Sequence, residues 1–252
     1  MKEIKVMSFN LKNNKTLPFR KTHYSKRVKY IVDVIKEENP DIVGCQEMSC
    51  SLRDLLKLNL KKYKFYAVPK IMKGKADYIA NTILIKKDIT VLESEIYSLG
   101  KDIKCLGSKN LLALQSRSCN KLVIKINHYT ISIFNVHLDC LFQNTRNFQL
   151  KKLDEILELD QSDFKIITGD FNMIMKGSLL EFVHHNHLYH MNHNIDKSFL
   201  MFKHTGAIDH ILVSSLFYKG TCYCGDFSKY DVKPSDHYPI ISTILFPRCK
   251  KV

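Results

Sequence analysis

Apolar residues are not spread evenly along this chain. They collect in short runs bounded by polar or turn-forming residues: "IKVMSF", "DIVGCQ", "NTILIKK", "KLVIKI", "YTISIFNV", "FKIITG", "IDHILVSS" and "YPIISTILF". Runs of this length, rich in Ile, Val, Phe and Tyr, predict strands. Two other stretches carry the helical period. In "SKRVKYIVDVIKEENP", Val28, Ile31, Val32 and Ile35 recur at helical spacing until Pro40 closes the segment. In "RNFQLKKLDEILELD", Phe148, Leu150, Leu153, Ile156 and Leu157 form a similar apolar stripe. A weaker third helix is expected in "SLRDLLKLNL".

Strands therefore alternate with helices, but several strands also follow one another with only turns between them. That order predicts sheets covered by helices on their outer faces rather than a simple parallel barrel. No Pro- or Gly-rich linker, repeat or low-complexity tract interrupts the chain, so residues 1–252 read as one domain. A hydrophobic fraction of 45% supplies a substantial core.

Lys and Arg number 39 against 25 Asp and Glu, a formal charge of +14. Such a surplus creates a positive field that attracts nucleic acid, anionic lipid or phosphorylated small molecules, and composition does not choose among them. The opening "MKEIKVMSFN" is too short in its apolar part for a secretory signal, and no run approaches the roughly 20 apolar residues of a membrane span. The expectation is a cytoplasmic protein. Its cysteines, Cys45, Cys50, Cys105, Cys119, Cys140, Cys222, Cys224 and Cys249, show no C-x-x-C pattern and read as reduced thiols, mostly core filler. Cys222 and Cys224 are the nearest approach to a metal or redox pair.

Chemistry enters at the ends of the apolar runs. "IKVMSFN" ends at Asn10, "DIVGCQE" at Glu47, "ISIFNVHLD" at His137 and Asp139, and "FKIITGDFN" at Asp170 and Asn172. Two later runs begin with such residues instead: "IDHILVSS" with Asp209 and His210, and "SDHYPIISTIL" with Asp236 and His237. Each piece alone is an ordinary turn or cap. Together, if the first four strands run toward one edge and the last two run away from it, they converge on that edge. Carboxylates and imidazoles gathered there need partners or a metal, and carboxylate and amide oxygens suit a hard cation such as Mg²⁺.

The series Asn10 in "SFN", Glu47 in "DIVGCQE", His137 in "NVHLD", Asp170 and Asn172 in "TGDFN", Asp209 in "IDHILVS", and Asp236 with His237 in "SDHYP" resembles the endonuclease/exonuclease/phosphatase superfamily over residues 4 to 245. The resemblance implies a four-layer α/β sandwich, two mixed β-sheets packed face to face with helices on the outer faces, and metal-dependent hydrolysis of a phosphate ester. By the same resemblance Glu47 anchors Mg²⁺, or Mn²⁺ in its place, with Asn10 and Asp236 close by. Asp170 and Asn172 flank the attacking water, His237 sits on the phosphate with Asp209 orienting it, and His137 donates a proton to the leaving group. Either Asp170 or His237 would serve as base. Arg117 resembles a phosphate-gripping arginine of the family, and Asn81 an amide of the site wall.

Two departures narrow the group. The position of His137 is Tyr in abasic-site enzymes, and "NLKNNKTLPFRK" lacks their Asn-Gly turn. Ile79 and Ala80 stand where many members carry an acid that supports the general-acid His, leaving Asp77 or nothing charged for His137 to lean on. His184, His185, His187, His190 and His193 in "FVHHNHLYHMNH" lack an accompanying Cys or carboxylate ligand pattern and read as a solvated face rather than a zinc site.

The expectation is a Mg²⁺-dependent phosphodiesterase acting on DNA or RNA, because the positive charge suits a polyanion. The alternative is a phosphatase or phospholipase C-type hydrolase of inositol phosphates or sphingomyelin using the same site. A binding module with a decayed site fits poorly, since binding alone does not require each acid with its orienting partner. A monomer with no obligate protein partner is expected.

Overall fold

The computed structural model describes residues 3–13, 20–66, 79–110, 113, 115–200 and 206–246. The first sheet contains β1 (Glu3–Asn10), β2 (Ile42–Ser49), β3 (Tyr63–Tyr66), β4 (Ile79–Lys86), β11 (Tyr218–Cys224) and β12 (Ile240–Leu245), in the order β11-β12-β1-β2-β4-β3. The second contains β5 (Thr90–Ser98), β6 (Ser118–Ile126), β7 (Tyr129–His137), β8 (Phe164–Asp170), β9 (Leu188–His190) and β10 (Asp209–Ser214), in the order β5-β6-β7-β8-β10-β9. Among the described residues four helices accompany them: α1 (Tyr24–Glu38), α2 (Cys50–Asn59), α3 (Gln143–Glu158) and α4 (Ser178–His185).

Side chains alternate along each central strand, and both faces are covered. Val6, Ile42, Ile133 and Ile166 enter the core between the sheets, together with Ile83 and Ile211. Their neighbours Met7 and Val43 pack under α1 and α2 with Ile31, Ile35, Leu52 and Leu56. Phe134 and Ile167 pack under α3 and α4 with Leu150, Leu153 and Leu179. A strand buried on both faces must be apolar at successive positions, which is why these segments are continuous runs. The result is the expected four-layer sandwich. Phe148, placed on the apolar stripe of α3, is only half-buried, and Thr145 and Gln149 are buried beside Leu150 instead.

Strand direction follows the order inferred from the acids. β1 pairs parallel to β2 and antiparallel to β12; β7 pairs parallel to β8, which is antiparallel to β10. Strands that end in functional groups and strands that begin with them therefore meet at one rim.

Just below that rim the sheets approach closely through polar groups. Gln46 Nε2 donates to Asn135 Oδ1 at 2.7 Å, and Asn135 Nδ2 donates to the carbonyls of Cys45 and Thr82 at 2.9 and 3.1 Å. A Cβ on Gly44 would lie 2.0 Å from Thr168 Oγ1. Glycine permits this approach, and the approach sets the distance between the two halves of the site above it.

Candidate active site

In the second sheet, register alone places three of the candidate residues in a row. His137 is paired with Asp170 across β7 and β8, and Asp209 with Asp170 across β10 and β8. In the first sheet, Asn10 ends β1, while Asp236 and His237 precede β12. Glu47 lies inside β2 rather than at its end. The strand continues to Ser49 past a bulge between Cys45 and Met48, and Glu47 takes a left-handed backbone with φ 57°. The bulge adds a residue to one strand only, which re-aims the side chain it carries. A second left-handed residue, Asn172 at φ 50°, turns the chain just after β8. Non-glycine residues held in this region concentrate at functional sites.

Asp170 is the centre of the arrangement. Its Oδ2 accepts from Asn10 Nδ2 at 2.9 Å and lies 3.5 Å from His137 Nε2 and 3.8 Å from His237 Nε2. Its Oδ1 accepts from the Asn172 amide at 2.9 Å. His237 Nδ1 donates to Asp209 Oδ2 at 2.8 Å, while the other oxygen of Asp209 is buried without a partner. The amides of Ile208 and Asp209 donate to Ser198 Oγ, and Ser235 Oγ donates to the Asn10 carbonyl while accepting from the His237 amide. The strand ends are thus tied together by hydroxyls as well as by the carboxylates.

These contacts shift the acid-base behaviour. Burial pushes Asp170 up to about 7, the charge of Asp209 adds to this, and His237 and Asn10 offset only part of it. For His237 burial works the other way, but the carboxylates of Asp209 and Asp170 outweigh it and hold the imidazole up at about 10. His137 is driven well below the ordinary histidine range, first by burial and then by the charges of Arg117 and His237.

Glu47, Asn81, Arg117 and His137 line one small crevice. Arg117 Nε is buried without a partner, and Asn81 Nδ2 donates to the Ser118 carbonyl at 2.9 Å. Asp77, the acid available in sequence to support His137, lies outside the described residues; the carboxylate beside His137 is Asp170. Asp139 has a structural task instead, accepting from the amides of Leu141 and Phe142 ahead of α3. His210 is also structural, bonded to the Met173 carbonyl at 2.7 Å and to His190 at 3.0 Å. His185 approaches Asp154 and Glu158 on the solvent side of α3, apart from the site.

Several supporting residues carried no signal in the sequence. Asn13 donates to Glu47 Oε2 from its amide and its side chain, at 2.7 and 2.6 Å. Glu47 Oε1 keeps only a long 3.4 Å contact with Asn10. Lys12 Nζ lies 2.9 Å from Asp236 Oδ2. Arg27, on what looked like an ordinary amphipathic helix, is 2% exposed and donates to the carbonyls of Thr22, Leu11, Lys12 and Pro234. It thereby joins the loop after Asn10 to the loop before Asp236. Burial lowers it to about 10 against the opposing influence of Asp236 and Glu47.

The donor set fits a hard divalent cation. Glu47 has a carboxylate oxygen with one weak partner, and Asp236 already attracts the ammonium of Lys12, a stand-in cation. Asp170, Asp209 and His237 also have ligand atoms within 4.8 Å of one another, but the His237–Asp209 bond gives that trio the form of an imidazole held by its orienting carboxylate.

Fold and rim together define an α/β sandwich with an acid, amide and imidazole cluster where its two sheets meet. The Endonuclease/Exonuclease/phosphatase family model matches residues 7–237, and the chain belongs to that family. A search of curated proteins found no match. Among solved structures, an endonuclease/exonuclease/phosphatase from Bacteroides vulgatus aligns at TM-score 0.86 and 20% identity, covering 98% of this chain and 100% of that one. A mannosyl-6-phosphatase from Bacteroides thetaiotaomicron aligns at 0.83 and 24%, covering 96% and 100%. D. rerio TDP2 complexed with single strand DNA product aligns at 0.73 and 16%, covering 96% and 98%. At these identities the likeness is one of fold. No helix among the described residues is long and apolar enough to cross a membrane.

Proposed function

We propose that this chain is a phosphoric ester hydrolase dependent on a divalent cation, Mg²⁺ or Mn²⁺, and that its substrate is the phosphodiester backbone of DNA or RNA. The observation that carries the reading is Asp170 Oδ2, which lies beside Asn10, His137 and His237, with Asp209 behind the last. Net charge of +14 supports a polyanionic substrate over a neutral one.

When held by Glu47, Asn10 and Asp236, the cation supplies neutralising charge for a non-bridging phosphate oxygen and the leaving oxygen. The remaining work falls to side chains. Asp170, raised to about 7, is poised to take the proton of the attacking water as the water oxygen forms the new bond to phosphorus. His237, raised to about 10, is a cation suited to gripping the phosphate, which supports Asp170 over His237 as the base. Asn172 holds the phosphate on the same side. As the bond from phosphorus to the leaving oxygen breaks, His137 returns a proton to that oxygen. His137 is neutral in the free protein because of burial and the charges of Arg117 and His237, and an arriving phosphate anion offsets those charges so that it takes up the proton it donates. Arg117 and Asn81 complete the phosphate side.

The test offers plasmid DNA, structured RNA, sphingomyelin vesicles and inositol phosphates in parallel, with Mg²⁺ or chelator, to the wild type and to Glu47→Ala and His237→Ala. Metal-dependent cleavage of nucleic acid, lost in both variants, is the expected result. Turnover of lipid or inositol phosphate without nuclease activity would keep the mechanism and replace the substrate. Full activity in Glu47→Ala would remove the metal assignment.

A further inference from the structure

A second recess opens beside Asn172. Its cavity has a volume of about 620 Å³ and is bounded by the start of α3, the connection from β8 to α4 and the segment before β10. It shares no lining residue with the crevice formed by Glu47, Asn81, Arg117 and His137. Both recesses reach Asp170, one through His137 and the other through Asn172. A substrate whose phosphate is held at Asp170 therefore has one flank at Arg117 and the other in this cavity.

The cavity's chemistry is mixed in a specific way. Arg146 and Lys176 line it, and no carboxylate is among its described lining residues. Arg146 is braced by donating to the Asp139 carbonyl at 3.1 Å and to Gln143 Oε1 at 3.0 Å, yet its Nε is buried with no partner. That atom is out of a ligand's reach, but each terminal nitrogen carries a second N–H beyond these bonds, which a ligand oxygen in the cavity can accept. The rest of the wall includes Met173, Ile174, Ile208 and Phe199. The Phe199 ring lies 4.5 Å from the ring of His237, inclined by 40°, so the cavity begins beside that histidine.

We propose that this cavity is a nucleotide subsite. In it, Arg146 and Lys176 hold the phosphate next to the scissile one, while Phe199 and its apolar neighbours face the base. This rests on the nuclease reading above and adds the form of the substrate. The uncharged polar side chains of the wall, Gln143, Asn172 and Ser178, already bond Asn147, Arg146 and the Leu138 carbonyl, so a sugar or inositol ring would lose hydration on its hydroxyls against Met173, Ile174 and Ile208 for few new partners. A base instead offers a π-face to an aromatic ring, which is how single strands are held without sequence preference. A recess of this volume takes a small ligand or a single unit of a chain. The strand therefore enters unpaired, as single-stranded DNA or RNA or as a frayed end.

Cys140 lines the same cavity and is exposed, while Cys105, exposed on the connection between β5 and β6, provides an internal comparison. The experiment measures maleimide labelling of both thiols by mass spectrometry in EDTA, with (dT)4, inositol 1,4,5-trisphosphate or mannose 6-phosphate added. Binding of fluorescein-labelled (dT)4 is followed in parallel for the wild type, Lys176→Gln, Arg146→Gln and Phe199→Leu. The expected result is protection of Cys140 over Cys105 by (dT)4 and by neither phosphorylated polyol. Kd should rise about tenfold in each variant, with the salt slope reduced by about one in Lys176→Gln. Lys176 is exposed, so thermal melts of its variant should match the wild type and remove misfolding as an explanation.

Equal protection by inositol trisphosphate, or unchanged (dT)4 affinity in all three variants, overturns the subsite. If the wild type still cleaves nucleic acid in Mg²⁺, the functional reading survives that loss. If the wild type neither binds nor cleaves any nucleic acid, both fall together.

Discussion

His237 donates from Nδ1 to Asp209 Oδ2 at 2.8 Å, and both side chains are buried. The bond fixes which nitrogen faces Asp170, and the carboxylate favours the charged imidazole. Asp209→Asn keeps the shape but offers an amide where the imidazolium needs a negative charge. Its kcat should fall by roughly 10²- to 10⁴-fold with a smaller change in KM, the scale on which histidine catalysis suffers when its orienting carboxylate is lost. A variant that changes KM alone would show that Asp209 is not an orienter.

Glu47 keeps one carboxylate oxygen almost free while Asn13 holds the other. Saturating Mg²⁺ should therefore raise the melting temperature of the wild type over that in EDTA. At 100 times Kd the stabilisation is about 2.7 kcal/mol, or roughly 5–10 °C for a chain of this size. In Glu47→Gln most of that rise should disappear. Equal rises in both proteins would place the cation elsewhere.

Gly44 sits where a Cβ would come within 2.0 Å of Thr168 Oγ1 and 2.9 Å of Asn135 Oδ1. Gly44→Ala should force the two sheets apart below the rim, costing about 1–3 kcal/mol of stability. Activity should drop further than that loss alone explains, because the displacement separates Glu47 from Asp170. Calorimetry and turnover on the same sample check both, and an alanine variant as stable and active as the wild type would refute the tight contact.

His210 is 1% exposed, and burial, reinforced by neighbouring His190, pushes it down to about 3 from the ordinary value near 6.5. The unfolded chain therefore binds protons more readily than the folded one below that ordinary value. Stability from this group is full above about pH 6.5 and is lost as pH falls toward the folded value. His210→Leu should cost about 1–3 kcal/mol at pH 7.5, since the Met173 carbonyl loses its donor. Between pH 7.5 and 4.5 the variant should then lose less melting temperature than the wild type. Equal losses would mean that His210 is not held neutral.

What was legible in the sequence divides along the edges of the two sheets. The eight apolar runs correspond to β1, β2, β4, β6, β7, β8, β10 and β12, and these are the interior strands. The four edge strands, β3, β5, β9 and β11, have no such signature. β5, "TVLESEIYS", is exposed over most of its length, so its pairing is visible only once β6 offers a partner. Likewise Asn10, His137, Asp170, Asp209 and His237 stand out because each interrupts or borders an apolar run. Lys12, Asn13, Arg27 and Arg146 are polar residues in polar surroundings and give no local sign of their partners.

By itself, then, the sequence determined the interior strands, the covering helices α1, α2 and α3, and the acids at one rim, because burial on both faces imposes a local pattern that polar ends must break. Only the tertiary structure decided how the two halves of that rim meet. The Arg27 bond to Pro234 spans 207 residues and the Asn10 bond to Asp170 spans 160, distances over which no periodicity carries information. Those contacts, together with the approach of the sheets at Gly44, turn separate strand ends into a site where Asp170 is pushed up and His237 is held as a cation.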